Sequence, residues 1–63
     1  MLISDRLRFL RKELSLSQDE FGRRLGVSNT AISKLEKNER NLTEQMALSI
    51  CREFRVNYFW LTE

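Results

Sequence analysis

The chain has 63 residues, enough for one small domain, of which 41% are hydrophobic and 32% charged, a globular rather than a disordered composition. One cysteine excludes an internal disulfide, the absence of histidine leaves no zinc-ligand set, and no apolar run approaches the roughly 18 residues that cross a bilayer. Eleven Lys and Arg against nine Asp and Glu leave a net charge of +2, with the excess in the first two-thirds, a pattern that suits a polyanionic partner or simply a solvated surface.

Apolar spacing predicts helices throughout and no strand. Ile3, Leu7, Leu10 and Leu14 form one stripe, so the first helix should run from about Ser4 to Glu13, with Phe9 off the stripe. Ser17 and Glu20 then stand three apart as a capping box, opening a second helix that carries Phe21 and Leu25 and closes at Gly26. Ser28 caps a third helix anchored by Ile32 and Leu35, and Asn38 suits the left-handed position that ends it. Thr43 caps a fourth helix with Met46, Ala47, Ile50, Cys51 and Phe54 at helical spacing. Val56 and Asn57 lead into a last short helix containing Trp60 and Leu61. Cys51 reads as a buried, inert thiol and Trp60 as core.

Two short helices joined by a glycine-containing turn are the pattern of a helix-turn-helix, whose second helix can enter a DNA major groove. Gly22 lets the two helices approach and Gly26 permits the turn, while Phe21, Leu25, Val27, Ile32 and Leu35 form the wedge between them. Ser28, Asn29, Thr30, Ser33, Lys34 and Lys37 are left for the outward face. Enzyme chemistry finds no support: no histidine, no glycine-rich phosphate loop and no paired carboxylates, and no cofactor or small-molecule motif is evident.

Residues 14–38, with Ser17-Gln18, Gly26-Val27-Ser28, Ala31-Ile32-Ser33 and Leu35-Glu36, resemble the Cro/CI-type (XRE-like) helix-turn-helix repressors of phages and bacteria. The resemblance runs from Arg6-Leu7-Arg8-Phe9-Leu10-Arg11 to the closing Phe54–Leu61, with Asn38 in place of the usual glycine and Leu42 where proline is common. It implies a compact, all-α, five-helix lambda-repressor-like domain over residues 1–63, either whole or the N-terminal part of a longer repressor. It further implies a cytoplasmic transcriptional regulator binding near-palindromic double-stranded operator DNA as a homodimer. An antitoxin or adaptor that uses the same scaffold to grip a protein is the alternative.

On that resemblance, Ser28, Asn29, Thr30, Ser33 and Lys34 would contact bases: asparagine can pair with adenine, a threonine methyl with thymine, and lysine with guanine. Arg11, Ser17, Gln18, Lys37, Arg40 and Asn41 would contact phosphates, Gln18 from a helix N-terminus. In similar repressors an arginine at the place of Arg11 pairs with the glutamate at Glu36 while still reaching a phosphate; for this chain an ion pair without the phosphate is the equal alternative. Tyr58 and Phe59 are dimer-interface candidates, with packing onto the first helix as the other account.

Overall fold

Helix starts in this protein are set by side chains that satisfy the first free backbone N–H groups. The structure, a computed structural model, describes residues 2–63. Ser17 Oγ accepts from the Glu20 N–H at 3.0 Å while Glu20 accepts from the Ser17 N–H at 2.9 Å, closing the expected box at the head of α2 (Gln18–Leu25). Ser28 accepts from the Ala31 N–H at the start of α3 (Asn29–Glu36), and Thr43 from the Met46 N–H at the start of α4 (Glu44–Phe54). Asn57 accepts from the Trp60 N–H ahead of α5 (Tyr58–Thr62). Only α1 (Ile3–Glu13) lacks such an oxygen at its N-cap, where Leu2 stands and donates its N–H to Asp5.

Left-handed residues end the helices. Gly26, with φ of 78°, closes α2, Asn38 follows α3 at φ 61°, and Arg55 closes α4 at φ 56°. Asn38 thus does the work of the glycine it replaces.

The core is small and made by all five helices: Leu7, Leu10, Phe21, Ile32, Leu35, Ala47, Ile50 and Leu61 are buried together. Phe21, fully buried, stacks on Phe54 with ring centroids 4.9 Å apart. The α2–α3 pair packs closest because Gly22 faces the turn: a Cβ built there would lie 2.6 Å from the Val27 carbonyl oxygen. Among the described residues the architecture is therefore five helices and no strand, as expected, and none of these helices is long and apolar enough to cross a membrane.

The aromatic residues need one correction. Trp60 is not core but 40% exposed, because α5 is barely longer than one turn and its inward position is taken by Leu61. The indole instead lies against Phe9, 6.2 Å between centroids, which explains why Phe9 leaves the apolar stripe of α1. Ile3 and Leu14, at the two ends of that stripe, are half covered, since the core reaches only the middle of α1. Cys51 is half-buried rather than enclosed, and burial pushes its thiol pKa up, which keeps it in the unreactive protonated form.

Candidate nucleic-acid interface

Helical geometry divides α3 into two faces. Ile32, Leu35 and Glu36 point inward and are buried. Asn29, Thr30 and Lys34 are exposed, Ser33 is half-exposed, and Ser28 before the helix and Lys37 after it are also exposed. The side expected to stand outward does so. Gln18, Asn29, Thr30, Ser33, Lys34 and Lys37 line one shallow depression, so the N-terminus of α2 and the outer face of α3 form a continuous polar surface.

Not every candidate gathers there. Ser17 is exposed at the head of α2, with its hydroxyl engaged in the cap. Arg40 and Asn41 lie in the α3–α4 connection and flank two other depressions, one against the start of α1 and one against the start of α4. Phe59 is the most open aromatic at 68% exposure, whereas Tyr58 is half-buried and packs onto the core.

Beneath the polar surface lies a buried carboxylate. Glu36 Oε2 accepts from Arg11 Nε at 2.6 Å, and Oε1 accepts from Arg11 Nη2 and from Gln18 Nε2, both at 3.1 Å. Arg11 also donates through Nη1 to the Leu16 carbonyl at 2.9 Å. One carboxylate therefore ties α1, α2 and α3 together through a bidentate guanidinium, the strongest geometry such a pair can adopt. Burial by itself would push the Glu36 pKa up; the hydrogen bonds from Arg11 and Gln18, and the charges of Arg11 and Arg8, outweigh it and hold the carboxyl below its usual range. Glu36 raises the Arg11 pKa in return.

Two residues escaped the sequence reading. Arg8, its side chain 48% exposed, stands with Nε 3.6 Å from Glu36 Oε1. It is three residues before Arg11 on the same helix face, a spacing that could have flagged it. Glu39 joins the lining of the α2–α3 depression because left-handed Asn38 turns the chain back and lets the Glu39 N–H bond the Lys34 carbonyl. No helical spacing rule reaches across that reversal.

Comparison with known proteins agrees with this geometry. The family model described as helix-turn-helix matches residues 7–61. Over 57 residues, 90% of this chain, the sequence is 32% identical to antitoxin PezA of Streptococcus pneumoniae and 37% identical to a propionyl-CoA carboxylase regulator of Cereibacter sphaeroides. The matched regions are 36% and 12% of those two proteins, so the chain spans a minor part of either. Among solved structures, the P22 c2 repressor in complex with synthetic operator 9T superposes with a TM-score of 0.89 at 30% identity, covering 100% of this chain and 96% of that one.

Proposed function

Because this chain belongs to the helix-turn-helix family, we propose that it is a sequence-specific DNA-binding regulator of transcription, a repressor that places α3 in the major groove of an operator. The observation that carries the reading is the open polar face of α3, continuous with Gln18 and unobstructed by its own chain. The P22 c2 repressor, whose fold this chain shares, is seen on operator DNA. Asn29, Thr30, Ser33 and Lys34, with Ser28 at the helix start, read base edges. Gln18, Ser17, Lys37, Arg40 and Asn41 hold phosphates, and so does Arg11 through the N–H groups that Glu36 and the Leu16 carbonyl leave free. The reading assigns the chain no catalysis and places it in the cytoplasm with the DNA.

Two copies would meet through α5, with Phe59 supplying the exposed apolar contact and Tyr58 its base. The ring centroids of this pair are 5.7 Å apart in a T-shaped arrangement. A two-fold dimer sets its recognition helices roughly 34 Å apart, so half-sites should repeat one turn apart in mirrored sense. Selection of bound duplexes from a random pool tests this. A near-palindrome should emerge; enrichment of no motif would sink the reading.

In that assay Asn29→Ala or Lys34→Ala should relax base preference, with about 1–3 kcal/mol of discrimination lost. Gln18→Ala or Arg40→Ala should weaken all sequences alike, and a changed motif would contradict the phosphate assignment. The likeness to an antitoxin supports a second reading, in which the aromatic α5 surface grips a protein. Salt separates the two: DNA binding falls steeply between 50 and 200 mM salt, on the order of tenfold per few phosphates contacted, and an apolar contact hardly changes.

A further inference from the structure

We infer that the cleft between the start of α1 and the α3–α4 connection binds a small monocarboxylate with a short hydrocarbon tail, and that this occupant competes with DNA for Arg40. The site stands without the DNA-binding reading above; only the competition rests on it.

The cleft holds a hydroxyl that the fold leaves unsatisfied. Ser4 is 6% exposed, yet its side chain makes no hydrogen bond among the described residues. No sealed side-chain polar atom of those residues goes without a partner, so Ser4 Oγ must open onto the cleft it lines. A buried hydroxyl without a partner costs free energy, which a ligand oxygen bonded to it recovers.

The surroundings give that ligand its charge. Ile3 and Ser4, both on the cleft, form the first turn of α1, an 11-residue helix whose N-cap Leu2 brings no side-chain oxygen. Free N–H groups and the positive end of the helix dipole favour an anion there. Asp5, the acidic residue of that turn, spends its carboxylate on the Leu2 N–H and does not line the cleft. From the α3–α4 connection comes Arg40, which forms no ion pair among the described residues, and Asn41 adds an amide.

The rest of the lining sets the tail. Leu7, Leu35 and Leu42 supply apolar wall, which a short hydrocarbon chain covers. A duplex phosphate reaches Arg40 and Asn41 but brings nothing for the leucines, and inorganic phosphate lacks a tail as well. A volume of about 290 Å³ is at the small end of ligand sites and confines the occupant to a few carbons. Arg40 engaged on a carboxylate is withdrawn from the phosphate assigned to it. Occupancy therefore lowers affinity for every duplex alike, and duplex binding lowers affinity for the carboxylate by the same factor.

Sodium butyrate is the probe, titrated at neutral pH into the isotope-labelled chain with chloride adjusted to hold ionic strength constant. The amide signals of Ser4, Arg40 and Asn41 should shift together and saturate with a low-millimolar Kd. Butanol, which keeps the tail without the charge, and inorganic phosphate, which keeps charge without the tail, should each bind about tenfold more weakly. Ser4→Ala and Arg40→Gln should each weaken butyrate about tenfold, with thermal melting showing both folded. Shifts that never saturate, or an unchanged Kd in Ser4→Ala, overturn the site. Phosphate binding as tight as that of butyrate overturns the monocarboxylate assignment and makes the cleft a seat for the duplex backbone. On a mixed-sequence duplex, Ser4→Ala should bind as the unsubstituted chain does, while butyrate weakens the unsubstituted chain and spares the variant. Butyrate bound without loss of duplex affinity overturns the competition. Absence of duplex binding at low salt defeats the DNA-binding reading, and the butyrate titration then decides the site by itself.

Discussion

Arg11→Met is expected to remove most of the stability of the domain. The substitution keeps the length of the side chain but leaves the Glu36 carboxylate, 1% exposed, without its bidentate partner, a loss of about 3–5 kcal/mol. A chain of this size holds only about 3–9 kcal/mol in total. Urea denaturation at pH 7 measures the difference, and a cost below about 1 kcal/mol would show that the pair carries little. The double variant Arg11→Met/Glu36→Leu should recover much of the loss, because the penalty lies in the orphaned charge.

Acid provides a second reading of the same site. In the unsubstituted chain the Glu36 pKa lies below its unfolded value of about 4.3, so its contribution is complete above that pH and is lost as the pH falls through the lower folded value. Without Arg11, burial dominates and raises the folded pKa, and protonation then relieves the orphaned carboxylate. The stability gap between the two proteins should narrow from pH 7 toward pH 4. A gap independent of pH would assign the loss to packing instead.

Gly22→Ala should destabilise the chain by about 2 kcal/mol and weaken duplex binding beyond what the loss of folded protein explains. An alanine is intrinsically the better helix former by about 1 kcal/mol, so a net loss must come from the collision. The new Cβ would fall 2.6 Å from the Val27 carbonyl oxygen, 3.2 Å from that of Ser28 and 3.3 Å from Ile32 Cγ1. The first two are backbone atoms of the turn and cannot rotate away. Relief must come from moving α3 off α2, which tilts the recognition face. Gly26→Ala makes the contrast: nothing lies within 4 Å of its Cβ, but φ is 78°, so it should cost about 1–2 kcal/mol with the helix pair left in place. Melting and duplex titration on both variants decide between these mechanisms. Equal binding per folded molecule in the two would remove the steric account.

The existence of α2 to α5 was legible because each of these starts is written in one or two side chains, whereas α1 was read from its apolar stripe alone. Ser17 with Glu20, Ser28, Thr43 and Asn57 all bond the backbone within three residues, and such signals survive in a linear string. The outward face of α3 was legible for a related reason, since Ile32 and Leu35 must be buried and the opposite side follows from the helical period. Trp60 was misread because hydrophobicity reports what a residue gains by burial and says nothing of how many inward positions a five-residue helix owns. Arg8 and Glu39 were missed because their importance depends on what stands beside them after folding: a carboxylate from α3 for the one, a chain reversal at Asn38 for the other. Both are facts of tertiary structure.

The side-chain oxygens at the helix starts also bear on how the molecule reaches its shape. Segments that carry their own punctuation can be tried and kept over a few residues at a time, before distant parts of the chain have met. Chains organised in this way cross their folding barrier in roughly microseconds to milliseconds. Stopped-flow or temperature-jump relaxation should therefore find a single rapid phase, slowed little by removal of any one cap and much more by disturbing the shared carboxylate, which must gather three helices at once.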